Sequence, residues 1–396
     1  MTKRQQQQTL LIPPMLDAHF PLMQYAFLSR YYRPVVLDQG AEVIPLGLRY
    51  SHNDMCFPLT VMVGQMVDAL RSGIYDPART KLLMPTVGDA CRGCNYTDLL
   101  RKSVRKAGFP ETRVLTLNLK HIDDENQMPV TPIMVWRALF ALFYGDLLML
   151  LVQQVRPYEQ KPGVTERLRG KWFRVLGEEL RLGRNLSFSA MLRRFRQITQ
   201  SFAEIPQTGE KKQRIALVGE LYTKYCAAGN WDMVQFLEQE GCESFTNGLS
   251  WYVLYYIDAQ LIHLPEPAAL GYRAVGAVLE ALQKRMIREL TAAGFFSLPP
   301  LHTLKREVRD AVSTGASVGD GWLIGTEAAG YIRHGCKKVL AVQPFGCMPN
   351  HIFGRGIYSS LARKLGGQIV SVDTDSSGTR INAYNRAKML IDAEPL

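Results

Sequence analysis

Residues 81–119 read KLLMPTVGDACRGCNYTDLLRKSVRKAGFPETRVLTLNL, and this stretch decides the fold. KLLMPTV is a short apolar run with the composition of a strand. NYTDLLRKSVRKAG carries its apolar residues at helical spacing, and TRVLTLNL returns to a β-branched strand pattern. A strand, a helix and a strand in this order form a βαβ unit, and such units build parallel sheets. Upstream, TLLIPPM (9–15) and PVVLD (34–38) are two more short apolar runs, and FPLTVMVGQMVDALRSG (57–73) again has helical spacing. Residues 1–125 are therefore expected to form an N-terminal α/β domain.

From about Pro132 to Phe202 the pattern turns helical, which defines a connecting region over 126–210. Within it, ALFALFYGDLLMLLVQQV (138–155) is nearly long enough to span a bilayer, but Gly145 and Asp146 interrupt it. A central aspartate is costly in lipid and no second span accompanies it, so the segment is read as a buried helix joining domains. The arginine-rich stretches RLRGKWFRVLGEELRLGRN (167–185) and MLRRFRQ (191–197) are interleaved with Glu178 and Glu179. They read as a solvated helical face, not as a nucleic-acid surface.

The polar linker IPQTGEKKQ (205–213) leads into RIALVGELY (214–222), whose apolar run begins a second α/β domain over 211–396. Helical patterns follow in NWDMVQFLEQEG, LSWYVLYYIDAQL, VGAVLEALQKRMIRELTAAG and GWLIGTEAAGYIRHG. Strand KKVLAVQPF, helix IYSSLARKLGG, strand QIVSVDTD and a last helix near AYNRAKMLIDA complete it. The expected fold class is α/β: two Rossmann- or flavodoxin-like parallel-sheet domains with a helical insert. In open sheets of this kind ligands sit at the carboxyl ends of the strands.

With 396 residues, 47% hydrophobic and 21% charged, the chain can bury at least one large core. Its 47 basic against 36 acidic residues give a formal charge of +11, which suits anionic partners without choosing among them. Seven cysteines, an odd number scattered along the chain, argue against a disulfide framework and for a reducing compartment. The opening MTKRQQQQTLLIPPML has too short an apolar stretch, broken by Pro13 and Pro14, to read as a signal peptide. Neither a G-x-G-x-x-G nor a Walker loop occurs, so the chain carries no nucleotide-binding word.

Three cysteines stand where a strand or loop feeds a helix: Cys56 in NDMCFPLTVMVGQ, Cys91 in VGDACRGCNY and Cys347 in VQPFGCMPNHIFGRG. A helix start offers free N–H groups and a positive dipole end, which favour thiolate over thiol and hence a soft metal. Each also has a permissive or rigid neighbour: Pro58, the Gly88 and Gly93 pair, Gly346 and Pro349. Cys91 and Cys94 have CxxC spacing, but the second CxxC of a zinc ribbon is missing. A thioredoxin-like redox pair or a Cys347–His351 nucleophile pair is a lesser reading, since His351 lies only four residues from Cys347. Cys226, Cys242 and Cys336 read as small buried residues.

Taken in order, NDMCFPLTVMVGQMVDAL, GDACRGCNYTDLLRKSVRKAGF, FYGDLLMLLVQQVRPYE, RIALVGE, VGDGW, VQPFGCMPNHIFGRG and VDTDSSGTRINAYNRAKML resemble the 2-hydroxyacyl-CoA dehydratase-related iron–sulfur proteins. The nearest likeness is to the C-terminal part of the large CoA-enzyme activase-related proteins, without their ATPase domain. The resemblance implies a [4Fe–4S] cluster held by Cys56, Cys91 and Cys347 in a cleft between the two α/β domains. It leaves one iron open, or, in the double-cubane branch, joins two cubanes. Cys94 departs from the family pattern and is a candidate fourth ligand; as such it would turn a dehydratase or reductase into an electron carrier or a structural cluster protein.

The same resemblance implies an ATP-dependent iron–sulfur activator as partner, an acyl-CoA or small-molecule substrate, a homodimer or heterodimer, and a cytoplasmic location without membrane or nucleic acid. Glu220, after the first strand of the second domain, and Asn350 and His351, after the Cys347 loop, are candidate catalytic groups in the cleft. A helix cap and a packed histidine are the plainer readings of Glu220 and His351. The other expectation is a non-catalytic protein stabilised by zinc or a cluster.

Overall fold

Short runs of Leu, Ile and Val between residues 9 and 117 pair into the first sheet. In this computed structural model, residues 7–38, 40, 43–52, 54–86, 91–117, 124–262, 264–376 and 380–394 are described. The chain runs β1 (Gln8–Ile12), α1 (Phe20–Phe27), β2 (Tyr32–Val36), α2 (Val43–Tyr50), α3 (Phe57–Arg71), β3 (Thr80–Pro85), α4 (Tyr96–Lys106) and β4 (Arg113–Leu117). These four strands are all parallel and ordered β2-β1-β3-β4. Strands β1, β3 and β4 each carry a buried apolar run, Leu10–Ile12, Leu82–Met84 and Val114–Leu115, as expected of a parallel sheet covered on both faces.

Three long helices follow: α5 (Pro132–Val155), α6 (Val164–Leu182) and α7 (Phe188–Ala203). The second α/β unit comprises β5 (Gln213–Gly219), α8 (Leu221–Tyr225), α9 (Ala227–Asn230), α10 (Met233–Gln239), β6 (Cys242–Phe245), α11 (Leu249–Leu261), α12 (Ala268–Ala292), α13 (Leu301–Glu307), α14 (Gly321–Arg333), β7 (Lys338–Pro344), α15 (Gly356–Leu365), β8 (Gln368–Thr374) and α16 (Arg380–Asp392). Its sheet is also parallel, in the order β6-β5-β7-β8. Both sheets thus reverse winding direction between their first and third strands, the crevice where open α/β sheets take ligands.

α5 is long and apolar enough to cross a membrane, yet its apolar stretch is mostly buried inside the protein. It packs against α1, α6, α7, α11, α12 and β6. Phe140, Phe143, Leu147, Leu151 and Val155 are fully enclosed in a cluster with Met191, Phe195 and Phe202 of α7 and Trp251 of α11. Its central Asp146 is paired with His19 and accepts hydrogen bonds at the start of α11. A second cluster runs from Leu11, Phe57 and Leu82 of the first unit to Leu217, Tyr222 and Trp231 of the second, so the core is continuous across both sheets.

β6 and α2 were not apparent in the sequence. Cys-Glu-Ser-Phe has no β-branched residue, and β6 forms because Cys242–Phe245 pairs with Gln213–Ala216. α2 contains Pro45 and Gly47, poor helix residues, and is held by contact with α3. A Cβ on Gly47 would lie 2.0 Å from the Thr60 carbonyl oxygen, and one on Gly64 would lie 1.8 Å from that of Val43. The glycines therefore let the two helices meet backbone to backbone.

Candidate functional site

Cys56 is the N-cap residue of α3, the helix that meets α2 backbone to backbone. Pro58 occupies the first helical turn, where a missing N–H leaves no bond unmade. Cys91 precedes a 3₁₀ turn, Arg92–Asn95, and its sulfur accepts a hydrogen bond from Gly93 N at 3.3 Å. Cys347 follows β7 through Gly346, whose φ of +68° belongs to glycine, and precedes a π-helical stretch, Asn350–Arg355. Gly88, expected to help aim Cys91, lies outside the described residues.

These three cysteines line one cavity of about 150 Å³, together with Arg92, Tyr96, Glu220, Tyr252 and Asp320. Larger clefts of about 760 Å³ beside Arg33 and Arg79 and about 570 Å³ beside Arg156 and Lys224 are not lined by cysteine. The volume falls below the roughly 300–1,000 Å³ usual for organic ligands. It suits a compact inorganic group or a few waters.

Burial dominates the electrostatics. It pushes the Cys56 thiol up to about 11, against a hydrogen bond from Tyr96, with the Glu220 carboxylate adding to the rise. Cys347 is raised further by burial and by Glu220 and Asp320. Asp320 is itself pushed up to about 7 by burial and by the nearby Glu220 charge, and burial raises Glu220 as well. Two acids and three thiols thus crowd one enclosed space, with Arg92 as the cation lining it. Cys56 and Cys347 are thereby held as neutral thiols, and a metal bound there would have to displace their protons.

The candidates separate clearly. Glu220 lines the cavity and is the N-cap of α8, accepting from Thr223 N at 2.9 Å, as the plainer reading of it expected. Asn350 is fully buried; its amide donates to Asp320 Oδ2 at 2.8 Å and to Cys347 Sγ at 3.4 Å. Its Oδ1 has no partner among the described residues. His351 is outside the cavity lining, bonded to Asp373 at 3.2 Å and set edge-on to Phe345. Cys94 is exposed, donates to the Cys91 carbonyl at 3.0 Å and does not line the cavity.

Cys226, Cys242 and Cys336 are buried elsewhere, and none of the three lines this cavity. Sequence reasoning missed Arg92, Tyr96 and Asp320. Asp320 stands inside VGDGW and Arg92 inside CRGC, so the words were visible while the roles were not.

Three soft sulfurs around a small enclosed space are a donor set that fits an iron–sulfur cluster. Among the described residues, no three His, Cys, Asp or Glu side chains are close enough together to hold a single ion. A cluster spreads its thiolates over separate irons and does not require them to meet on one. Comparison of the sequence with models of known protein families and with curated proteins finds no match.

Proposed function

We propose that the chain is a [4Fe–4S] protein of the 2-hydroxyacyl-CoA dehydratase or double-cubane reductase type, acting in the cytoplasm. The observation that supports it is the convergence of Cys56, Cys91 and Cys347, from two separate sheets, on one small cavity. Those three residues would hold the cluster. Bound there, the cluster would supply one-electron chemistry and an open iron for a substrate oxygen.

The chain's own residues define the rest. Tyr96 donates to Cys56, Asn350 donates to Cys347, and both contacts favour the anionic sulfur. Asp320, held near neutrality, and Glu220 are placed to give or take a proton at the cavity wall. Electrons would come singly from a separate ATP-dependent activator, since this chain has no nucleotide-binding word.

A second reading is a non-catalytic binding or electron-carrier protein stabilised by zinc or a cluster, and the cavity size favours it. About 150 Å³ leaves no room for an acyl-CoA beside a cluster, so any substrate would have to be small or approach from outside. Anaerobic purification with iron and acid-labile sulfide analysis and low-temperature EPR tests both readings. Brown protein with equal iron and sulfide supports a cluster; colourless protein with one zinc removes it. Turnover of a 2-hydroxyacyl-CoA only with the activator and ATP separates the enzyme from the carrier.

A further inference from the structure

Arg92 stands between two cysteines in sequence, and in space its guanidinium reaches both of the other cysteine loops. Nη1 donates to the Asp54 carbonyl at 3.1 Å, two residues before Cys56. Nη2 donates to the Phe345 carbonyl at 2.8 Å, two residues before Cys347. The second loop is shaped to receive it: a Cβ on Gly346 would lie only 3.2 Å from Nη2. Asp54 belongs to the first α/β unit and Phe345 to the second, so one side chain that lines the cavity ties the two together.

We propose that Arg92 is the clamp that sets the spacing of the three cysteine loops and closes the cavity between the two sheets. It is a positioning residue. A planar guanidinium presents several donors in a fixed fork, whereas a lysine ammonium is a point charge on a flexible stem. Two carbonyls pointing from different loops call for the fork. Each bond alone is exposed to competition from water, and the clamp depends on making both together.

The sheets do not rely on Arg92 to stay together. Asp17 accepts from Ala227 N at 2.8 Å, the Cys226 thiol donates to the Pro14 carbonyl at 3.1 Å, and the Phe57 and Trp231 rings pack together. Loss of the clamp should therefore loosen the cysteine loops while the shared core persists. The clamp holds whatever the cavity binds; only its effect on iron rests on the function proposed above.

The test is site-resolved alkylation of the full-length, chelator-treated chain with iodoacetamide, read by mass spectrometry in wild type, Arg92→Lys and Arg92→Gln. Cys56 and Cys347 are expected to react about tenfold faster in both variants, the consequence of losing two charge-assisted bonds. Buried Cys336 should keep its wild-type rate. Unchanged rates at Cys56 and Cys347, a rise in Arg92→Gln alone, or an equal rise at Cys336 would each overturn the clamp. The first would mean no constraint, the second that a lysine ammonium serves as well as the fork, and the third general loosening. Should the purified chain hold no iron, the proposed function fails while the alkylation rates still decide the clamp.

Discussion

His19 Nε2, just before α1, and Asp146 Oδ1, in the middle of the long apolar helix α5, lie 2.8 Å apart with both side chains fully buried. Asp146 also accepts from Leu249 N at 2.6 Å and Ser250 N at 2.9 Å, which satisfies the first turn of α11. One carboxylate thus joins α1's entry, α5 and α11. Gly145 makes the approach possible, since a Cβ there would fall 2.4 Å from the His19 ring.

Replacing Asp146 by Ala should destabilise the protein by about 3–5 kcal/mol, because a buried partner is left unpaired along with two N–H groups. Asp146→Asn, which keeps an acceptor, should lose less. Urea unfolding followed by far-UV circular dichroism measures both, and equal stability of Asp146→Ala and wild type would contradict the account.

Lys224 and Glu327 form a second enclosed pair, with both carboxylate oxygens 2.9 Å from Nζ and each side chain 2% exposed. Lys224→Met alone should cost about 3–5 kcal/mol, whereas Lys224→Met with Glu327→Leu should recover most of the loss, since the stranded charge is gone. A double-mutant cycle in denaturant checks the coupling. Additive losses would show that the two groups act independently.

Cys56→Ser, Cys91→Ser and Cys347→Ser should each strongly reduce bound iron in anaerobically prepared protein. Cys94→Ser, Cys242→Ser and Cys336→Ser should leave it near wild type, because those thiols lie outside the cavity lining. Loss of iron in Cys94→Ser would bring that exposed thiol into the ligand set and close the open coordination position.

His302 is held between Glu280, at 2.7 Å, and Asp258, and its pKa is raised above 6.5, first by the Asp258 hydrogen bond and then by Glu280. A raised folded-state value means that protonation stabilises the fold. The contribution is fully present below about pH 6.5, the unfolded value, and is lost as pH rises through the folded one. Unfolding midpoints from pH 5 to 9 should show this decline, and His302→Gln should flatten that part of the profile. An unaltered profile would remove His302 as its source.

Of the eight strands among the described residues, seven were legible because each carries a short run of Val, Ile or Leu between turn residues. β6 and α2 escaped because pairing and glycine contact, not composition, create them. At the site, the three cysteine loops stood out through their Gly and Pro neighbours, and Glu220 through its place after β5. The convergence of Arg92 on Asp54 and Phe345 could not be read, since it joins residues far apart in sequence. Nor could the turning away of His351 toward Asp373, four residues from Cys347.

The cavity draws its walls from Cys56 and Cys91 at one end of the chain and from Asp320 and Cys347 near the other. During synthesis the early cysteines emerge long before β7 exists to face them. A chain that stops before β7 therefore cannot enclose the cavity, and a cluster held as proposed would have to enter after Cys347 has emerged. The first α/β unit expressed alone would carry Cys56 and Cys91 without the wall that Asp320 and Cys347 supply, so the cavity itself is a product of the two units folding together.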